Sequence, residues 1–221
     1  FARFDEQPLA AASIAQVHRA TLKSGEKVVI KVQRKGIYDT MARDIGLLHK
    51  AVKLVPPISI KETVDFSMVL DELWVVTQEE MNFLTEAANM EEFARRNKDI
   101  AFVRTPILYK EHTTHHVLVM EYIDGYSIDD KISLQENGYD LHEIGTKLVD
   151  NYIKQVMEDG FFHADPHPGN IVVRNGKITF LDFGMMGVMS DSTLKRLNDL
   201  LYSIYIEDTE EMTNAVLKLC I

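Results

Sequence analysis

Three oxygen-bearing side chains with a defined spacing are the strongest chemical signal in this 221-residue sequence. Asp165 and Asn170 lie within His163–Asn170, and Asp182 follows twelve residues after Asn170, at the start of an Asp-Phe-Gly triplet. Phosphoryl transfer uses such a set: one carboxylate orients or deprotonates the attacking hydroxyl, while an amide and a second carboxylate hold Mg²⁺ against the phosphates. The order and spacing match the pattern H-x-D-x-x-x-x-N followed by D-F-G.

A metal site is a competing interpretation of the same segment. His163, Asp165 and His167 could form an H-x-D-x-H cluster, since histidine and aspartate are common metal ligands. The prolines on both sides of His167 make it difficult to place the three side chains on one face. The D-F-G triplet alone is also a weak signal, because it occurs by chance in many proteins.

A short hairpin is predicted to carry the phosphoryl-transfer residues. Segments 170–174 and 177–182 are rich in β-branched residues, and Asn175-Gly176 between them is typical of a two-residue turn. The three oxygen-bearing side chains would then lie together at the mouth of this hairpin.

The rest of the sequence predicts strands mixed with helices, and then mainly helices. Pro56-Pro57 would stop the first helix, and Gly160 would cap the helix that precedes the segment His163–Asn170. The predicted strands are Gln16–Leu22, Lys27–Gln33, Val103–Glu111 and His116–Glu121, and the last two would pair as a hairpin across Thr113-Thr114. The predicted helices are Ile37–Val55, one or two within Lys61–Asn97, Leu141–Asp159, and those from Asp191 onward.

This pattern predicts an α+β, two-lobed, protein-kinase-like fold. Residues 1–121 would form an N-lobe with an antiparallel sheet, an alanine-rich loop and inserted helices. Residues 122–221 would form a mainly helical C-lobe with the catalytic and metal-binding loops, following a linker at Ile123-Asp124-Gly125. We expect a ligand to bind where the two parts meet.

The first half should contribute a phosphate clamp. Lys31 ends the strand V-V-I-K, similar to the V-A-I-K strand of kinases, although a solvent-facing lysine is the alternative. Counting back from Val17 by G-x-G-x-x-G-x-V, the glycine positions hold Ala10, Ala12 and Ala15. Alanine should stiffen this loop and favour helical conformation, so we expect a shifted nucleotide pose and weak protein phosphorylation. A plain helix start is the alternative.

A buried lysine also needs a carboxylate partner. The candidates lie in residues 79–89, where Glu86 sits among small residues and Glu80 lies nearly two helical turns earlier. The residues themselves leave this pairing open. Further along, the strand ending in M-E-Y would form a hinge, where backbone groups of Glu121 and Ile123 would contact adenine.

Together these segments resemble the UbiB-like family of atypical kinases, from about Pro8 to Gly187. Ala10-Ala11-Ala12-Ser13 is similar to the alanine-rich loop of that family, and His163–Asn170 is similar to its H-x-D-P-H-P-G-N catalytic loop. Glu80-Met81-Asn82 and Glu86-Ala87-Ala88-Asn89 resemble its E-x-D element and the helix that follows.

The resemblance implies ATP or ADP and Mg²⁺ as cofactors and assigns a role to each site residue. Lys31 would contact the phosphates and pair with Glu86, and Asp165 would be the catalytic aspartate. The nucleotide-binding set would be Ala10, Ala11, Ala12, Ser13, Ile14, Val17, Lys31, Glu121 and Ile123. The metal set would be Asn170, Asp182 and Glu80, with Glu80 also guarding the active site.

The resemblance further implies an ATPase or lipid-related kinase in quinone or isoprenoid-lipid metabolism, with a lipid or quinone precursor as substrate or partner. The full-length protein is expected to be cytoplasmic and associated with membranes through flanks outside these residues. The family's K-x-G-Q motif has no match and is expected to precede Phe1. Asn82 replaces the final aspartate of E-x-D, which weakens a metal role there.

Composition narrows the functional classes. The formal net charge of -10 argues against nucleic-acid binding, which requires basic surface against phosphate. The single cysteine, Cys220, excludes a disulfide framework and favours a reducing compartment. No apolar run approaches the roughly 18 residues of a membrane-spanning helix.

Two features argue against a conventional protein kinase. No proline follows Gly184, so the A-P-E element is absent from this sequence, and Ala164 replaces the arginine that reads activation-loop phosphate. A small-molecule kinase of the aminoglycoside or choline type is one alternative, against which the alanine-rich loop argues. A catalytically inactive nucleotide-binding scaffold is another, opposed by the presence of Lys31, Asp165, Asn170 and Asp182.

Overall fold

The computed structural model describes residues 1–54 and 65–219, so the predicted helix stop at Pro56-Pro57 lies outside the described residues. The chain divides into two compact units. Unit 1 consists of Phe1–Ala88 and Pro106–Tyr122, and unit 2 of Asn89–Thr105 and Ile123–Ile221.

The described elements are short strands and longer helices. The strands are β1 Arg3–Phe4, β2 Ala10–Ala11, β3 Ala15–Thr21, β4 Lys27–Gln33, β5 Val103–Arg104, β6 Val117–Glu121, β7 Tyr126–Ser127, β8 Phe161–His163, β9 Ile171–Arg174, β10 Lys177–Phe180 and β11 Met186–Val188. The helices are α1 Ile37–Leu54, α2 Phe66–Glu80, α3 Phe83–Arg96, α4 Lys131–Glu136, α5 Leu141–Lys154, α6 Asp191–Tyr205 and α7 Thr209–Leu219.

Unit 1 is built on a five-stranded antiparallel sheet, in which β1, β3, β4 and β6 lie in that order and β2 also pairs with β3. Alternate β-branched and aliphatic residues of β3, β4 and β6 form its core, because successive side chains of a strand point to opposite faces. The register sets Lys31 of β4 between Val17 of β3 and Leu118 of β6. The predicted strands 16–22 and 27–33 are confirmed to within a residue.

The predicted pairing of Val103–Glu111 with His116–Glu121 is wrong in its first strand. Only Val103–Arg104 is a strand, and it pairs in parallel with β10 of unit 2. Pro106 has no backbone N–H for a sheet ladder, and residues 110–112 turn as a 3₁₀ helix. Of the expected pairing with β6, the structure has two isolated antiparallel bridges, one from Leu108 to Met120 and one from Thr114 to Val117.

Unit 2 contains a four-stranded sheet in the order β5-β10-β9-β7 and a two-stranded sheet of β8 and β11. The predicted β9–β10 hairpin is confirmed: Asn175 and Gly176 both have positive φ, 50° and 72°, as its two-residue turn requires. Phe93 of α3 packs its ring 5.1 Å from Phe180 and 5.2 Å from Phe183, centroid to centroid, so α3 supports the end of β10.

The helix before the catalytic segment changes its pitch as it ends. Asp140 caps α5 through the backbone N–H groups of His142 and Glu143, and the helix becomes a π-helical turn over Gln155–Asp159. Gly160 closes this turn in the left-handed conformation, with φ of 59°, and its N–H donates to the Gln155 carbonyl. Single π-helical turns often occur at functional sites.

Candidate functional site

The catalytic loop, our name for the segment His163–Asn170 that resembles the family's catalytic loop, makes a series of tight turns after β8. The His167 N–H donates to the Asp165 carbonyl at 2.8 Å, and the Asn170 N–H donates to the His167 carbonyl at 2.9 Å. Pro168–Asn170 forms a 3₁₀ turn in which the Gly169 N–H donates to His167 Nδ1. These local hydrogen bonds fix the backbone of the loop, while the Asp165 side chain is exposed.

The hairpin register brings the two expected metal ligands to the same end of unit 2. Ile171 pairs with Phe180, and beyond that pair the Leu181 N–H donates to the Asn170 carbonyl at 2.8 Å. Asp182 is the next residue, and its Oδ1 accepts from the Gly184 N–H at 3.0 Å. An amide and a carboxylate fit Mg²⁺, which binds oxygen and usually keeps positions for phosphates and water.

His163 connects the catalytic loop to the D-F-G segment within unit 2. Its Nε2 lies 2.6 Å from the Asp182 carbonyl oxygen, and the Asp165 N–H donates to its Nδ1 at 3.2 Å. Because a carbonyl only accepts and an amide N–H only donates, these partners fix the neutral tautomer with the proton on Nε2. Burial lowers the pKa of His163 below its usual range, in agreement with a neutral ring.

This geometry contradicts the alternative H-x-D-x-H metal site. Both ring nitrogens of His163 already make hydrogen bonds, and His167 Nδ1 accepts from the Gly169 N–H at 3.1 Å. Across residues 1–54 and 65–219, no group of three or more His, Cys, Asp or Glu side chains converges as a metal site.

Lys31 and Glu86 form a buried ion pair in unit 1. Lys31 Nζ lies 2.9 Å from Glu86 Oε2 and 3.1 Å from Oε1, and the two side chains are 12% and 3% exposed. The ammonium also lies 5.5 Å from the centroid of the Phe83 ring, a cation–π contact. The solvent-facing alternative for Lys31 is therefore wrong.

The alanine-rich loop is a strand and a turn, so the helical alternative is wrong. Ala10 and Ala11 pair with Val17 and Gln16, and the Ala12 N–H donates to the Ala15 carbonyl at 2.9 Å. Among the described residues, positive φ occurs only outside this loop, so the alanines complete the turn without the conformation that favours glycine. The hydrogen bonds to β3 override the helical preference of alanine.

Arg34 fixes the same loop from the end of β4. Its Nε donates to the Ala12 carbonyl at 2.9 Å, and its backbone N–H donates to the Ile14 carbonyl at 2.9 Å. These bonds occupy carbonyls on both sides of Ser13. This role of Arg34 could not be predicted from the sequence, because a basic residue after a strand is most often only solvated.

The E-x-D-like element has a structural role at its last residue. Glu80 is the half-buried final residue of α2, and the Oδ1 of Asn82 accepts from the Leu84 N–H at 3.1 Å. Asparagine is a favoured helix N-cap, so Asn82 begins α3. The helix with Glu86 is thereby anchored at its first turn.

The two expected hinge residues flank Tyr122, the residue at which the second segment of unit 1 ends along the chain. Glu121 ends β6, where its N–H donates to the Ile107 carbonyl at 2.8 Å and its Oε2 accepts from the Ile107 N–H at 3.2 Å. Ile123 begins the second segment of unit 2. Their contact with adenine stays a prediction.

Asn89 contacts the D-F-G segment, a role that the sequence pattern did not predict. Its Nδ2 donates to the Phe183 carbonyl at 3.0 Å, and Phe93, one turn further along α3, packs against the Phe183 ring. The signal was present in the spacing, because Asn89 follows Glu86 by three positions and helical residues at that spacing share a face.

Comparisons with known proteins agree with this arrangement. A profile of the family described as "ABC1 atypical kinase-like domain" matches residues 1–216. The chloroplast protein "ACTIVITY OF BC1 COMPLEX KINASE 8" of Arabidopsis thaliana is 40% identical over 99% of this chain and 29% of its own length. This chain spans less than half the length of the curated relatives it matches.

Two solved structures are similar in fold. Rv3197 of Mycobacterium tuberculosis, in complex with erythromycin, superimposes with a TM-score of 0.76 and 25% identity, over 99% of this chain and 55% of that one. The Rio2 kinase of Chaetomium thermophilum, in an ADP/Mg²⁺-phosphoaspartate complex, gives 0.51 and 14% identity, over 87% and 50% of the two chains. The latter likeness concerns the fold alone.

The strands, helices and loops described above thus define an α+β protein of the kinase-like class, as the sequence predicted. The chain belongs to the ABC1 atypical kinase-like family, which confirms the resemblance to the UbiB-like kinases.

Proposed function

We propose that this chain binds ATP with Mg²⁺ and transfers or hydrolyses its γ-phosphate. The observation that carries the proposal is the hydrogen-bonded set of unit 2, in which His163 joins the loop of Asp165 to the carbonyl of Asp182. The exposed carboxylate of Asp165 lies on the loop that these bonds fix, as a group that orients an attacking hydroxyl or water would require.

Each proposed role follows from the chemistry of a side chain. Lys31, oriented by Glu86, would bind nucleotide phosphates, and the turn of the alanine-rich loop would cover them. Asn170 and Asp182 would hold Mg²⁺, which would neutralise charge on the phosphate oxygens. Asp165 would orient the attacking hydroxyl or water and accept its proton. Glu80 would control access to the site. Backbone groups of Glu121 and Ile123 would contact adenine.

The acceptor is proposed from the family rather than from the site. Our first candidate for the acceptor is a lipid or quinone precursor, which would place the reaction in quinone or isoprenoid-lipid metabolism. If the chain is an ATPase, water is the acceptor instead. A small-molecule acceptor is the second candidate, since the relative Rv3197 was solved with erythromycin. Within the described residues no helix is both long and apolar enough to cross a bilayer.

The decisive experiment compares the native chain with Asp182→Asn. We expect the native chain to bind ATP in a Mg²⁺-dependent manner and to release phosphate. We expect Asp182→Asn to lose both activities about 100-fold or more, because the substitution removes the negative charge that Asp182 would contribute to the Mg²⁺ site. Isothermal calorimetry and phosphate release, with and without vesicles containing isoprenoid quinones, measure both quantities.

Asp199→Asn is the matched control, since Asp199 is an exposed carboxylate on α6. Stimulation by quinone-containing vesicles would favour the lipid-linked acceptor, and turnover with a soluble alcohol would favour the small-molecule kinase. Mg²⁺-dependent binding without any turnover would overturn the proposed catalysis and leave a nucleotide-binding scaffold.

Ala12→Gly tests whether the alanine-rich loop tunes the reaction. Glycine restores the conformational freedom that the hairpin turn of this chain lacks, so we expect measurable changes in ATP affinity and turnover, on the order of two- to tenfold. Ala101→Gly, at an exposed turn of unit 2, controls for the general cost of adding glycine. Equal kinetics for Ala12→Gly and the native chain would contradict a role of the alanines in the nucleotide pose.

A further inference from the structure

A chain of buried amide side chains runs from α3 through α5 to the start of the catalytic loop. The His163 N–H donates to Gln155 Oε1 at 3.0 Å, and Gln155 Nε2 donates to Asn151 Oδ1 at 2.7 Å. Asn151 Nδ2 donates to Asn97 Oδ1 at 2.7 Å, and Asn97 Nδ2 donates to the Phe93 carbonyl at 3.0 Å. All these residues belong to unit 2. We refer to Asn97, Asn151 and Gln155 as the amide chain.

The amide chain is buried, and all its hydrogen bonds run in the same direction. Its three side chains are between 0% and 5% exposed. Each carbonyl accepts from the side nearer His163, and each NH₂ donates toward Phe93, so every link specifies the orientation of the next one. Buried hydrogen bonds in series polarise one another, and an unpaired member would be costly. Apolar residues would fill the same volume without specifying any orientation.

The amide chain ends at His163, the residue that joins the catalytic loop to the D-F-G segment. Gln155 holds the backbone of His163, whose ring contacts the Asp182 carbonyl and the Asp165 N–H. The Tyr152 hydroxyl adds a second contact, donating to the His163 carbonyl at 3.1 Å. Gln155 is also the first residue of the π-helical turn, so the change of helical pitch occurs where the support is made.

We propose that Gln155, oriented by Asn151 and Asn97, is a positioning residue that sets the place of His163 and thereby of both the catalytic and the D-F-G loops. None of the three amides touches the reacting groups. Their contribution to turnover rests on the proposed phosphoryl transfer, whereas their contribution to loop geometry does not.

Gln155→Met tests the proposal, because methionine fills a similar volume without either hydrogen bond. The direct readout is the scalar coupling across the N–H···N hydrogen bond from Asp165 to His163 Nδ1, measured by NMR on the ¹⁵N-labelled chain. We expect the native coupling to be lost in Gln155→Met. Thr179→Val is the matched control: within the described chain the buried Oγ1 of Thr179 has no hydrogen-bond partner, so its removal should leave the coupling unchanged.

A triple variant, Asn97→Leu with Asn151→Leu and Gln155→Met, keeps the test valid if the single variant does not fold. Replacing the whole amide chain by apolar residues leaves fewer polar groups unpaired, so the triple variant should melt at a temperature no lower than Gln155→Met. We expect the coupling to be lost in the triple variant as well. A native coupling in a folded triple variant would overturn the proposal.

Phosphate release provides the second readout. We expect kcat to fall about tenfold in Gln155→Met, as the loss of a buried hydrogen bond near the site predicts, and the Mg²⁺ concentration for half-maximal turnover to rise. A purely structural role would lower the melting temperature and leave kcat per folded molecule unchanged, which would contradict the proposal. Absence of turnover in the native chain would overturn the proposed function instead, and the NMR coupling would still decide the role of Gln155.

Discussion

Replacement of Glu86 by alanine is expected to lower the free energy of unfolding by about 3 kcal/mol or more. The carboxylate accepts two hydrogen bonds from Lys31, and both side chains are nearly inaccessible to solvent. Removing one partner of a buried ion pair leaves the other charge poorly compensated in a medium of low dielectric constant, which typically costs about 3–5 kcal/mol. Urea unfolding followed by circular dichroism measures the change.

Two further variants separate the loss of the ion pair from the general cost of replacing a helical glutamate by alanine. Glu72→Ala removes an exposed glutamate from α2, and should change the free energy of unfolding by less than about 0.5 kcal/mol. The double variant Lys31→Met with Glu86→Leu removes both charges, and should be more stable than Glu86→Ala. If Glu86→Ala were as stable as Glu72→Ala, the ion pair would contribute nothing to the fold.

The ion pair also shows what the sequence could predict. A lysine at the end of a V-V-I-K strand, with a set spacing from an alanine-rich loop, indicated a residue of a cleft rather than of a solvated edge. The choice of Glu86 came from family resemblance, because helical periodicity alone does not tell which of several acidic residues faces a strand. The pairing joins residues 55 positions apart, and only the packed structure specifies it.

Local signals predicted the β9–β10 hairpin well. Asn175-Gly176 determines the turn, the turn determines the register, and the register places Asn170 beside Leu181 and hence near Asp182. Each of these steps depends on neighbours in sequence, so the sequence contains the information that each step needs.

Pairings between residues that are far apart in the chain could not be predicted from the sequence. Strand β5 pairs in parallel with β10, about 75 residues away, and a two-residue strand has too little alternation to reveal its partner. The amide chain likewise links three polar residues that, taken singly, look like solvated positions within or just after α3 and α5. Their burial depends on how the helices pack, so polar residue type was a misleading guide.

Asp165→Asn is expected to reduce kcat by about 10²- to 10⁴-fold while ATP binding is retained. A carboxylate that orients the attacking group and accepts its proton typically contributes this much. A neutral amide can neither accept the proton nor orient the attacking group by a charge-assisted hydrogen bond. The fold should tolerate the change, because the hydrogen bonds described for Asp165 use its backbone N–H and carbonyl, and its side chain is exposed. Phosphate release under saturating ATP, with calorimetric binding and a melting temperature, tests all three statements.

The contrast between Asp165→Asn and Asp182→Asn separates the two carboxylates. Loss of turnover with intact Mg²⁺-dependent binding is expected for Asp165→Asn, and loss of both for Asp182→Asn, since of these two carboxylates only Asp182 is proposed to hold the metal ion.

The size of the Asp165→Asn effect also bears on the acceptor. Phosphoryl transfer has a loose transition state in which the attacking oxygen forms little bond, so deprotonation contributes less than orientation does. Orientation matters most for a bound alcohol, so a much larger loss with an alcohol acceptor than with water would favour a kinase. Equal losses would favour an ATPase, and native turnover in Asp165→Asn would remove Asp165 from the mechanism.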